Sequence, residues 1–295
     1  MRHRIGCIAI LWLASLAAAQ NNKLKVYIAA DMEGIGGVST WEVQADARGR
    51  EYEKFRRLMT QEVNAAVAGA FDAGATEVLV SDSHGDAQNI DVELLDKRVQ
   101  LVRSWPRPLL MVQGIDSSFD ALVLVGYYAS AGQFPAVLAH NITNQRIMGM
   151  KFNGTAMPDA GLAAAIAGEF GVPTVFVSGD QAVGQEMKRL VGGIETVAVK
   201  QAIGFYAATM MHPEIAQRLI REGVKRAVQR RGEIKPFRLA HPVRLEMTFK
   251  QMVNAEVVSY LPGVERPSGN TIVFTAKDTS EATRFLGAVI LMNSF

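Results

Sequence analysis

The sequence contains a single cysteine, Cys7, and it sits in a stretch that does not read as part of the fold. Arg2, His3 and Arg4 form a basic segment, and Ile5 to Leu16 is apolar but short for a membrane span. Ala17, Ala18 and Ala19 then supply the small residues of a cleavage site. This pattern predicts a signal peptide over residues 1–19, with Gln20 as the first mature residue; a retained N-terminal anchor is the alternative. Cys7 leaves with that segment, so the expected mature chain has no disulfide and no thiol nucleophile and must rely on its core.

Charge of one sign is also missing. The formal charge is +2, and removing Arg2 and Arg4 with no acidic residue brings it to 0. No basic field remains to argue for nucleic acid or for an anionic membrane surface. No second apolar run reaches membrane-spanning length, and neither an internal repeat nor a low-complexity run is present. The full sequence is 49% apolar, and the chain is long enough for a sizeable core.

The strongest local signal is KLKVYIAADMEGIGG, Lys23 to Gly37. An apolar run of strand length, Leu24 to Ala30, ends in Asp31 and Glu33 and then in Gly34, Gly36 and Gly37. Residues two apart on a strand share a face, so both carboxylates are expected to point the same way. Side-by-side carboxylates repel unless a cation or a shared proton separates them, which makes a divalent metal the natural partner. Acidic residues also cap strand ends for purely structural reasons, and that alternative stays open here.

Helical spacing predicts a helix from Ala47 to Ala73, followed by a strand at Thr76 to Ser81 that runs into Asp82-Ser83-His84. A third strand, Ala121 to Val125, runs into Gly126-Tyr127-Tyr128. Strand, crossover helix and strand imply parallel pairing, and ligands collect beyond the carboxyl ends of such strands. Further strands are expected near 146–152, 174–178 and 196–199, with helices from Asp159 to Phe170 and from Asp180 to about Val191. Beyond Gly204 the pattern restarts, with a helix over Pro213 to Gln229, strands over Val243 to Phe249 and Thr271 to Ala276, and a helix from Asp278 to about Met292. The expected fold is α/β, a mainly parallel sheet flanked by helices. Residues 20–204 form the metal-binding catalytic unit and 205–295 a smaller C-terminal α/β region.

Among the histidines, His212 and His241 lie at element boundaries, which leaves His84 and His140. Asp31, Glu33, His84 and Asp159 together make an oxygen and nitrogen set suited to a hydrolytic zinc or manganese site. Asp159 is equally placed to interact with the positive end of its own helix. Ser83 next to His84 lacks a nucleophile elbow, and GIGG lacks the spacing of a dinucleotide loop or a P-loop.

The segments AADMEGIGGV, EVLVSDSHGDAQNI, LVGYYAS, PAVLAHN, KFNGTAMPDAGLAAAIAGEFGVP, SGD and AVKQAIG occur in this order. Together they resemble the DppA-like D-aminopeptidases, a family of zinc metallopeptidases, over essentially the whole mature chain. The resemblance implies an α/β subunit, a dinuclear zinc centre, removal of N-terminal D-residues such as D-alanine from short peptides, and a decameric homo-oligomer. By resemblance, Asp31 is the bridging carboxylate, Glu33 and His84 complete the first zinc site, and His140 is the catalytic histidine. The second site departs from the family: Tyr128 stands where the family has histidine, and Asp159 where it has glutamate. One or two Zn2+ per chain are therefore expected, with a catalytically weakened homologue that binds D-amino peptides as the alternative. Lys200, in AVKQ, is a weaker candidate for substrate binding or charge balance, or a solvated lysine at a strand end. The signal peptide predicts an exported protein, periplasmic or secreted, where such peptides arise outside the cytoplasm.

Overall fold

A computed structural model describes residues 23–292; the signal peptide expected over 1–19 lies outside these. The chain runs through β1 (Lys25–Ala30), α1 (Tyr52–Asp72), β2 (Glu77–Asp82), β3 (Gln100–Val102) and β4 (Ala121–Tyr127). A hairpin, β5 (Ile147–Phe152) and β6 (Thr155–Ala156), follows, then α2 (Asp159–Glu169), β7 (Thr174–Asp180), α3 (Gln181–Val191), β8 (Glu195–Ala202), β9 (Ala208–Met210) and α4 (Pro213–Gln229). The chain ends with β10 (Val243–Phe249), α5 (Met252–Val258), β11 (Val264–Glu265), β12 (Thr271–Ala276) and α6 (Thr279–Met292).

The main sheet has seven strands in the order β3-β2-β1-β4-β7-β8-β9, and every pair is parallel except β8 with β9. Strand β1 is apolar on both faces because both are covered. Val26, Ile28 and Ala30 pack with Phe55, Met59, Val63 and Val67 of α1 and with Ile220 and Val224 of α4. Tyr27 and Ala29 face the other layer, with Leu162 and Ile166 of α2 and Val183 and Met187 of α3. Met59, Val63 and Val67 are fully buried, and each contributes about 1.5–3 kcal/mol relative to exposure.

The second sheet is antiparallel, in the order β11-β12-β10-β5-β6. Asn153 and Gly154, both at positive φ, make the tight turn between β5 and β6. Val243, Leu245, Met247 and Phe249 of β10 and Leu286 and Val289 of α6 join the same core as α2.

Sheet membership crosses residue 204, the expected boundary between the catalytic unit and the C-terminal region. The β5–β6 hairpin leaves the first segment to pair with β10, whereas β9 and α4, beyond 204, belong to the main sheet and to its α1 layer. Pairing over such sequence distances leaves no local trace. The first long helix begins at Tyr52 rather than Ala47, because residues 46–51 form a turn in which Gly49 N–H donates to Asp46 and Glu51 N–H to Val43.

Candidate metal centre

The site lies beyond the carboxyl ends of β1, β2 and β4. The chain leaves β1 in a turn that folds onto the end of β4, where Asp31 N–H donates to the Val125 carbonyl and Gly34 N–H to that of Gly126. A Cβ on Gly34 would lie 2.1 Å from the Tyr127 carbonyl oxygen, so this approach requires glycine. The turn brings Asp31 and Glu33 to one side, 6% and 4% exposed.

His84 comes from the loop after β2. Its Nε2–H donates to the Ala45 carbonyl at 2.6 Å, which turns Nδ1 toward Asp31 Oδ1 at 3.2 Å and Glu33 Oε2 at 3.0 Å. A backbone acceptor on the far ring nitrogen is how ligating histidines are fixed in tautomer and orientation. Asp82 shapes this loop through Asn89 and Ile90, whose backbone N–H groups its carboxylate receives. Among the described residues, Asp31, Glu33 and His84 are the one group of histidine and carboxylate side chains with ligand atoms all within 4.8 Å of one another. Two carboxylates and an imidazole suit zinc.

The electrostatics are those of a cation site. Burial, and then the charge of Glu33, push the Asp31 carboxyl well above its usual range. Burial alone would raise Glu33 too, but the charges and hydrogen bonds of His84 outweigh it and hold Glu33 well below. Burial would lower His84, yet Glu33 and Asp31 raise it well above the ordinary histidine value. The cluster retains positive charge between its carboxylates, whether proton or metal ion.

His140 lies beside this group. Its Nδ1–H donates to the Leu138 carbonyl at 2.7 Å, which leaves Nε2 free as an acceptor 4.0 Å from Glu33 Oε1. Tyr128 stacks on its ring at 3.9 Å. The Tyr128 hydroxyl donates to Asp159 Oδ2 at 2.6 Å, and Ile142 N–H donates to the same oxygen at 2.9 Å. Asp159 therefore does not cap its own helix; its carboxylate is turned back toward the His140 segment. The two residues expected at a second metal position contact each other, and Asp159 is not among the side chains whose ligand atoms gather with Asp31, Glu33 and His84. Burial, then the charge of Asp159, pushes the Tyr128 phenol well up, and its hydroxyl donates to Asp159.

Lys200 is neither solvated nor open to a substrate. It is 1% exposed, and its ammonium donates to the carbonyls of Glu33, Ile35 and Val38 at 2.5, 3.1 and 2.7 Å. Burial brings its pKa down to about 8. His212 caps α4 and His241 pairs with Glu169, both away from the centre.

Sequence reasoning missed Trp41, which lies on a short wide helical turn, Trp41–Ala45. Its Nε1–H donates to Glu33 Oε1 at 2.7 Å, and its ring meets His140 edge-on at 5.2 Å. A lone tryptophan in a segment without periodicity gives no warning of this role.

The same arrangement of segments is found in proteins already described. A family model for D-aminopeptidases matches residues 24–288. A D-aminopeptidase of Bacillus subtilis (strain 168) is 36% identical over 263 residues, covering 88% of this chain and 94% of that protein. The solved structure of the Zn-dependent D-aminopeptidase DppA from Bacillus subtilis, described as a self-compartmentalizing protease, superimposes with a TM-score of 0.87 at 33% identity, covering 92% of this chain and all of that one. The chain belongs to the D-aminopeptidase family.

Proposed function

We propose that this protein is an exported, zinc-dependent aminopeptidase that removes N-terminal D-residues of the D-alanine type from short peptides, and that it works as a homo-oligomer. The observation that carries the reading is the convergence of Asp31, Glu33 and His84 with His140 Nε2 beside them. Asp31, Glu33 and His84 would hold the zinc. Bound there, it would supply a Lewis acid able to polarise a peptide carbonyl and bring the pKa of a coordinated water to about 7.

The remaining work falls to the chain's own side chains. His140, with Nδ1–H committed to Leu138, offers Nε2 to take up a proton at the reacting centre and return it to the leaving amine. Tyr128 packs on one face of this ring and Trp41 meets it edge-on, so the imidazole is held in place. Trp41 also fixes Glu33 through Oε1.

The test is hydrolysis of D-alanyl and L-alanyl dipeptides by zinc-loaded protein, with and without chelator. Chelator-sensitive cleavage of the D-peptide alone is expected; cleavage of neither peptide overturns the reading. Export is tested by fractionating cells that express the full chain, and detection only in the cytosol removes that part.

A second reading follows from the Tyr128–Asp159 contact. A chain in which those residues satisfy each other has lost a donor pair at the second position and could bind D-amino peptides without turning them over. Tight D-peptide binding by zinc-loaded protein without cleavage would select it.

A further inference from the structure

The turn that carries Glu33 is held from below by two buried ionisable side chains that touch no substrate. Lys200, at the end of β8, places all three of its ammonium protons on the carbonyls of Glu33, Ile35 and Val38. Glu62, inside α1 and 1% exposed, accepts the Gly36 N–H on Oε1 at 2.8 Å. A Cβ on Gly36 would stand 3.0 Å from that oxygen, so glycine is what lets the carboxylate come so close. Three carbonyls and one amide of a six-residue turn are thus fixed by side chains from two distant elements. A fifth point of attachment, Gly34 N–H on Gly126, comes from β4.

This is more than the turn needs simply to exist. Gly34, Ile35 and Val38 already make backbone hydrogen bonds at the strand end or within the turn. A buried lysine is costly, and the cost is offset only where all its protons find acceptors. The carbonyl it binds most closely is that of Glu33 itself, whose side chain must reach His84 and Asp31.

We infer that Lys200 and Glu62 are positioning residues for the metal centre: they lock the 33–38 turn so that Glu33 meets His84 and Asp31 ready to bind an ion. Metal affinity therefore depends on a lysine far along the chain and on a glutamate of the first helix. Neither touches the ion. The inference rests on the reading of Asp31, Glu33 and His84 as a zinc centre, and the two can fail separately.

The test is zinc affinity, measured by competition with a chromophoric chelator on the full-length protein, together with the Tm of the metal-stripped form. Partners that orient ligands typically matter by about 10–100-fold in affinity, which is the loss expected for Lys200→Met, with about tenfold for Glu62→Leu. Ile272→Ala, a fully buried change in the second sheet, serves as a destabilised control and is expected to bind zinc like the wild type. If Lys200→Met does not fold, Glu62→Leu alone decides. It removes the Gly36 acceptor but also removes a buried carboxylate whose Oε2 has no hydrogen-bond partner. Variants that lose stability yet bind zinc within twofold of the wild type overturn the inference while leaving the zinc centre intact. A wild-type chain that takes up no zinc overturns both.

Discussion

The ring of Tyr128 lies face to face with the imidazole of His140, their centroids 3.9 Å apart and their planes at 11°. Tyr128, where the resemblance leads one to expect histidine, is thus a stacking partner of His140, while its hydroxyl donates to Asp159.

That relationship predicts the metal content. Zinc-loaded, desalted wild-type protein is expected to retain one ion per chain by elemental analysis, at Asp31, Glu33 and His84. Tyr128→His restores a nitrogen beside Asp159 and is expected to raise the content toward two. Unchanged metal content and rate in the variant would show that position 128 does not limit the second site.

Asp31→Asn replaces a buried carboxylate that faces both Glu33 and His84. It is expected to abolish zinc retention and peptidase activity together. Retained metal with lost activity would assign Asp31 to the chemistry rather than to binding.

Trp41→Phe keeps the aromatic edge against His140 but removes the hydrogen bond to Glu33. Zinc affinity is expected to fall by about tenfold. Zinc should also perturb tryptophan fluorescence in the wild type, and the larger part of that change is expected to disappear in this variant, because Trp41 bonds the Glu33 carboxylate itself whereas Trp105 bonds only the backbone of Gly85. A zinc response that survives in Trp41→Phe would place its source elsewhere.

Burial pushes Glu62 up to about 7 from its ordinary 4.5. The folded state therefore favours the protonated form, and the native state binds more protons than the unfolded one between these two values. Stability from this group is fully present below about pH 4.5 and is lost as pH rises through about 7. Its span is at most about 3 kcal/mol. Glu62→Gln removes the titration, so in denaturant unfolding its stability relative to the wild type is expected to be higher at about pH 8 than at about pH 5. A constant difference between the two proteins at both values would rule this out.

The elements that carry the site were legible wherever periodicity or strand-end chemistry marked them. The KVYIAA strand reads directly from its apolar run, whereas Asp31 and Glu33 at its end read equally as strand-end acids until the fold brings His84 beside them. The helix over Pro213–Gln229 reads equally well from its amphipathic spacing. Lys200 was visible as a lysine at a strand end, but its burial depends on the 33–38 turn folding over it, and nothing in AVKQ encodes that. Asp159 read as a helix-start residue. Only the approach of the Tyr128 and Ile142 segments turns its carboxylate inward. The pairing of β5 with β10 was hidden for the same reason, since contacts between distant segments follow from the whole packing.

The β5–β6 hairpin leaves the chain between His140 and Asp159 and joins the second sheet before returning. The loop after His140 and the start of α2 are thus the two hinges of one excursion, and the gap between them is set by the second sheet. A cut at residue 204 would part β5 from its partner β10, and would part α1 from α4, which covers it. The two sheets are interlocked by chain path, so neither keeps all its strands on one side of residue 204.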